Sequence, residues 1–126
     1  MKYRKHISEP WFSLINFKIK TVEGILNKGY FANMQINDTI IFVNDELLEL
    51  ERECEVIITN ISYYDTFQSY LETETLSKCL PGIYTLEDGV KIYNTVNYYD
   101  KEYNIPCKNS VKAFTIQKPT KINFTF

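Results

Sequence analysis

The sequence predicts an α+β fold, a small curled mixed sheet with helices at its side. Three observations predict it. Alternating or continuous β-prone runs recur near residues 2–7, 39–43, 51–63 and 111–117. Segments with helical spacing and capping residues separate them, near residues 10–17, 65–75 and 85–93. Ten Tyr and eight Phe in 126 residues are far more aromatics than a solvated coil carries.

The elements follow in order. Lys2 to Ile7 reads as a strand with Tyr3 and Lys5 on one face, Arg4 and His6 on the other. Ser8 can cap a short helix with Pro10 in its first turn and Trp11, Leu14 and Ile15 on its apolar face. Thr21 to Leu26 is extended, Asn27-Lys28-Gly29 is a turn, and Tyr30 to Met34 makes one helical turn. Thr39 to Val43 is apolar throughout, as a central strand buried on both faces would be, and Asn44-Asp45 opens a hairpin. The next strand spans Glu51 to Tyr63. Cys54, Val56 and Ile58 face in at first; then Ile57, Ile61 and Tyr63 become the apolar set. A phase flip within one strand predicts a β-bulge, which bends the strand.

Asp65 to Gln68 has capping-box character and precedes a helix with Phe67, Tyr70 and Leu71 inward, ending near Thr75. Leu80-Pro81-Gly82 breaks the chain. Thr85 to Asp88 opens another helix with Leu86, Val90 and Tyr93 inward, weakened slightly by Gly89. Residues 97–109 are loop-like. Val111 to Gln117 is the last main strand, with Phe114 and Ile116 on one face. The tail alternates again at Ile122, Phe124 and Phe126, as an extra strand or an interface arm would. With no repeat and no linker, residues 1–126 are read as one domain, with a core of about 2–117 and an extension of 118–126.

Composition narrows the function classes. Cys54, Cys79 and Cys107 are an odd, widely spaced set, and His6 is the only histidine. A disulfide scaffold and a zinc site are both disfavoured; reduced, buried thiols are expected, with no metal and no cofactor. The first residues start basic, as a signal peptide does, but Ser8, Glu9 and Pro10 interrupt any apolar core. No apolar run approaches the ~20 residues of a membrane span. The expected location is the cytoplasm, or nucleocytoplasmic in a eukaryotic host. The net charge is −2. Residues 1–30 carry six Lys or Arg against Glu9 and Glu23, residues 38–75 ten acids against Arg52, and residues 76–126 seven Lys against four acids. Basic ends brought together would make one positive face able to attract phosphates.

The stretch Lys20-Thr21-Val22-Glu23-Gly24 gathers an ammonium, a hydroxyl and a carboxylate between a helix and a strand. It reads either as a loop ion pair or as a site: Lys20 as a base, Thr21 as a hydroxyl, Glu23 as an acceptor for a nucleobase N–H. His6, at a strand end, reads either as a hydrogen-bonded structural residue or as a switch.

The run from His6 to Ile15, then Lys20 to Gly24 and Leu26 to Gly29, resembles the start of an ASCH domain. Asn37 to Phe42, Cys79 to Ile83 and Glu87 to Val90 resemble later segments of the same family, in order, up to about Ile116. The resemblance implies a PUA-like small curled β-barrel with flanking helices and a cleft beside the barrel. It implies binding of RNA or a modified nucleoside, with Ser8, Trp11, Lys20, Glu23, Asn27, Lys28, Tyr30 and Tyr84 as ligand-binding candidates. Some family members resemble N4-acetylcytidine amidohydrolases, and ribonuclease activity is proposed for others. In that light Lys20, Thr21, Glu23 and Glu74 form the candidate catalytic set. Glu23 stands where a second hydroxyl would be needed, and Ile25 where the family usually has arginine. Both departures favour binding over catalysis. The acidic middle and the apolar tail motivate a third reading, a protein-interaction module.

Overall fold

The computed structural model describes residues 1–47, 49–97 and 107–119. In chain order it contains β1 (Lys2–His6), α1 (Trp11–Asn16), β2 (Val22–Leu26), a 3₁₀ turn (Gly29–Asn33), β3 (Thr39–Leu47) and β4 (Leu50–Tyr64). Then come α2 (Phe67–Glu74), α3 (Leu76–Cys79), α4 (Leu86–Val96) and β5 (Val111–Gln117). The strands form one five-stranded sheet in the order β1-β3-β4-β5-β2. β1 runs parallel to β3, and the other pairings are antiparallel.

The mixed α+β class follows the sequence. The closed barrel does not: among the described residues the sheet is open, with β1 and β2 as its edges. Both edges contribute residues to one cleft. The long fourth strand supplies the bend. Its register with β5 shifts between Ile58 and Asn60, leaving Thr59 as the extra residue. This is the bulge that the phase flip predicts. Before it Cys54, Val56 and Ile58 are buried; after it Ile61 packs on the same core. Tyr63 departs from the expectation and is exposed, with the Lys112 ammonium 5.7 Å from its ring centroid.

Other boundaries move for local reasons. β3 continues through Leu47, which pairs with Leu50, so the hairpin turns at the positive-φ Glu49 rather than at Asn44-Asp45. Asn44 is instead buried, donating to the Ile7 carbonyl (3.0 Å) and accepting from Arg52 (2.8 Å). β3 is an interior strand, paired with β1 on one side and β4 on the other, and β4 is the middle strand of the sheet. At the start of α1 the Ser8 side chain makes no cap. The Glu9 carboxylate does that work, accepting from the Ser13 N–H at 2.8 Å and from its hydroxyl at 2.5 Å. The deeply buried face of α1 is Phe12 and Ile15, while Trp11 and Leu14 are half-buried. The Thr66 capping box at α2 forms as expected, with Ser69 as its partner, a device worth about 1 kcal/mol.

Two apolar cores result. One lies inside the curve of the sheet, where Phe12 and Ile15 meet Ile40, Phe42, Val56, Ile58 and Phe114. The other lies between the opposite face of β2 and β5 and the helices, built on Val22, Phe67, Tyr70, Leu71, Leu80 and Tyr93. Gly89 is a packing requirement rather than a mere weakness of α4: a Cβ there would lie 2.9 Å from Leu76 and 3.0 Å from Leu71. Lysines close three helical ends. Lys20 donates to the Cys79 carbonyl at the end of α3, Lys112 to Phe31, Ala32 and Met34, and Lys118 to Asn16 at the end of α1. Cations suit the negative end of a helix.

The expected positive face does not form along β1. Lys2 pairs with Glu55 at 2.9 Å, and Arg4 with Glu51 and Glu53 at 2.7 and 2.6 Å. The acidic middle therefore neutralises the basic start. Cys54 and Cys79 are buried free thiols as expected, but Cys107 is exposed. The alternating tail at Ile122, Phe124 and Phe126, and most of the loop-like stretch 97–109, lie outside the described residues. Among the described residues no helix is long and apolar enough to cross a membrane.

Candidate functional site

The cleft between the edges of the sheet has a volume of about 90 Å³, room for several waters or a small ring. β1 and the turn after it contribute Lys5 to Ser8; α1 contributes Trp11; β2 contributes Glu23 to Ile25; α4 contributes Ile92, Tyr93 and Val96, with Asn97 at its end. Lys20 and Leu80 complete the wall.

At its floor are two buried charges. Lys20 is 2% exposed and Glu23 6%, and burying such groups is costly unless each is paired and hydrogen-bonded. Both conditions hold. Lys20 Nζ donates to the Val22 carbonyl at 2.7 Å and to the Cys79 carbonyl, and lies 3.4 Å from Glu23 Oε1. The same Glu23 oxygen accepts from the Gly24 N–H (3.0 Å) and from the Tyr93 hydroxyl (2.8 Å). Tyr93 has one hydroxyl proton, and it is donated in the hydrogen bond to Glu23. The 2.9 Å contact between the Tyr70 and Tyr93 hydroxyls therefore has Tyr70 as donor. Burial holds both phenols well above the ordinary tyrosine range, so both stay donors at neutral pH. Glu23 Oε2 receives no hydrogen bond among the described residues.

The neighbouring backbone explains why the stretch ends in glycine. The Tyr70 ring lies on β2 so closely that a Cβ on Gly24 would sit 2.6 and 2.7 Å from two ring carbons. Tyr70 is fully buried, edge-on to Tyr93 at 5.4 Å between centroids. Phe67 stacks on the other ring at 4.7 Å. The carboxylate is thus held by a packed aromatic cluster on two helices.

The candidates from sequence divide into two groups. Ser8, Trp11, Lys20 and Glu23 meet at the cleft. The others lie elsewhere. Thr21 lines a second hollow, bordered by Lys18, Lys118 and Lys20 itself. Glu74 accepts from the Tyr64 hydroxyl and does not line the cleft. Asn27 and Lys28 are at the far end of β2, where Asn27 donates to the Asn109 carbonyl at 2.9 Å. Tyr30 stacks on Tyr3 with ring centroids 5.4 Å apart. Tyr84 is 90% exposed and outside the cleft. His6 is at the rim, its Nδ1 3.4 Å from Asp45. Among the described residues no group of three or more His, Cys, Asp or Glu is placed to hold a metal.

Sequence reasoning missed Tyr70 and Tyr93 as members of the site. A signal was available. Both fall on the inward faces of amphipathic helices, and a buried phenol needs a hydrogen-bond partner. A carboxylate at a buried strand position is the natural one.

No protein-family model matches the chain, and no curated protein matches it. Solved structures do. The chain is similar to the hypothetical protein PH0355, with 28% identity and a TM-score of 0.75 over 94% of this chain and 100% of that one. It is similar to Protein PF0455 from Pyrococcus furiosus, with 28% identity and a TM-score of 0.68 over 94% of this chain and 97% of that one. It also resembles the ASCH domain from Lactobacillus crispatus JV V101, with 11% identity and a TM-score of 0.59 over 93% of this chain and 79% of that domain. At that identity the likeness is one of fold. The fold is ASCH-like.

Proposed function

We propose that the protein binds RNA or a modified nucleoside, with the base seated in the cleft between β1 and β2. One observation carries this reading: a buried carboxylate, Glu23, is held rigidly through one oxygen at the floor of a cleft walled by Trp11. A fixed acceptor beside a flat apolar wall suits a heterocycle with an N–H donor. Lys5 at the rim would meet a phosphate or ribose end. The ASCH-like fold supports the same class of ligand by analogy alone.

Binding is favoured over hydrolysis. The Lys20 ammonium is bonded to two carbonyls and faces Glu23, which suits a pin more than a base. Neither Thr21 nor Glu74 lines the cleft; Thr21 borders a second hollow with Lys20. Nucleophilic catalysis needs the nucleophile and its base within hydrogen-bond reach.

Trp11 is the only tryptophan, so its fluorescence reports on the cleft directly. Titration with nucleosides and a short single-stranded RNA is expected to quench it. Glu23→Gln is expected to weaken binding roughly tenfold to a hundredfold, the loss of a hydrogen bond to a charged group. Quenching that is absent at low salt, or equal in the variant, would sink the reading.

A further inference from the structure

The free edge of β2 has been largely closed by its own side chains. Ile116 N–H donates to the Thr21 carbonyl at 2.9 Å, and Val22 pairs with Thr115. In an antiparallel ladder hydrogen-bonded pairs alternate. Residues 21, 23 and 25 therefore bond to β5, while Val22, Gly24 and Leu26 aim their backbone groups away from it, at the open edge. Lys20 Nζ fills the Val22 carbonyl, where a neighbouring strand's N–H would come. Glu23 Oε1 fills the Gly24 N–H, where a neighbouring carbonyl would come. The Lys28 N–H fills the Leu26 carbonyl at 2.9 Å. The Gly24 carbonyl remains, with no hydrogen bond among the described residues, in a residue that lines the cleft.

We infer that the Gly24 carbonyl and Glu23 Oε2 act together as a two-acceptor reader, selecting a flat ligand whose edge carries two adjacent N–H donors. The matching chemical class is the amidine or guanidine edge, a ring N–H beside an amino group, as in guanine. A base with one donor flanked by acceptors leaves one reader group desolvated and unpaired, which is where polar sites discriminate most strongly. An added peptide strand does not fit: the edge is filled on both sides of Gly24, leaving a single carbonyl open. The inference rests on the cleft being the ligand site. It goes further in naming the donor pattern and in giving a backbone group part of the specificity.

The test is a set of Trp11 fluorescence titrations of the unmodified chain with guanosine, inosine, uridine and benzamidine. Inosine lacks only the 2-amino donor. Guanosine is expected to bind about tenfold or more tightly than inosine, the worth of one hydrogen bond to such a site. Uridine is expected to be weaker still, and benzamidine to compete with guanosine. Equal affinity for guanosine and inosine overturns the two-acceptor inference while leaving nucleoside binding intact. Binding of benzamidine with no nucleoside binding supports the two-acceptor reader and overturns the nucleoside reading. No quenching by any of the four overturns both.

Discussion

Lys20 and Lys112 are both all but removed from water, yet the regions around them differ in kind. Lys112 points into the curved face of the sheet. Its ammonium donates to the Phe31, Ala32 and Met34 carbonyls at 3.1, 3.2 and 2.7 Å and lies 5.4 Å from the Phe114 ring centroid. Burial lowers its pKa, and the Asp38 charge only partly opposes this. It fastens the 3₁₀ turn to β5 and does not itself line the cleft. Lys20 makes the same kind of bond to carbonyls, but it also faces a carboxylate that two phenols hold in place. A buried lysine is therefore not in itself a site. The difference is the carboxylate, held through one oxygen beside a cleft.

The comparison breaks most sharply if the Lys20 cation is removed. Lys20→Met leaves Glu23 buried without its cation and is expected to cost about 3–5 kcal/mol. Adding Glu23→Gln should recover much of that, because neither charge then remains. Lys112→Met should cost less, about 2 kcal/mol for carbonyls left without a donor, and Glu23→Gln should not change its cost. Denaturant melts of the single and double variants measure both couplings. Equal coupling in the two regions would erase the distinction.

Gly24→Ala comes next. The added methyl must displace the Tyr70 ring, which is boxed in by Phe67 and Tyr93. Overpacking of this kind costs about 1–3 kcal/mol. The shift in thermal midpoint should be accompanied by weaker ligand binding, since Tyr70 supports Tyr93. A variant as stable as the parent would mean that the ring moves freely, and that Glu23 is less fixed than its contacts imply.

The smallest effect separates the regions by pH. Burial pushes the Cys79 thiol up to about 11 from 9.0, and Tyr64 up to about 12 from 10.0. Above pH 9 the folded chain keeps these protons while the unfolded chain releases them. Stability on the helix side is therefore lost as pH rises, for Cys79 between 9 and about 11, at most about 1.4 kcal/mol per pH unit. Lys112 runs the other way: with its pKa lowered, the folded chain gives up that proton first, and its contribution rises with pH through the same range. Melts from pH 8 to 11 should show a net alkaline loss that is shallower in Cys79→Ala. An unchanged slope would mean that Cys79 does not carry the titration.

Much of this architecture was legible because it rests on local patterns. The bulge at Thr59 was visible as a phase flip, and the faces of α2 and α4 as spacing, since both depend on side-chain alternation. The hairpin position was not. Asn44-Asp45 has turn chemistry, but Asn44 is used in a tertiary bond to the Ile7 carbonyl, and β3 runs on. The site was half legible. Lys20 and Glu23 stood out as opposite charges three residues apart between a helix and a strand, and Ser8 and Trp11 came with the family resemblance. Tyr70 and Tyr93 looked like ordinary core residues, because their role depends on a contact between residues 70 positions apart in the chain. Thr21 is adjacent to Lys20 in sequence, and the two border a second hollow together, but only Lys20 also lines the cleft, as alternation along an extended chain allows.

Thr59 touches nothing in the cleft; its hydroxyl donates to the Thr115 carbonyl at 3.3 Å, on the strand beside it. Yet β4 is the middle of the ribbon, and the bend it introduces there is transmitted to both outer strands. The aperture between β1 and β2 is thus governed like the opening of a pair of tongs, from the pivot rather than the tips. A length change of a single residue at this pivot would reset the width of the cleft without altering one residue that lines it.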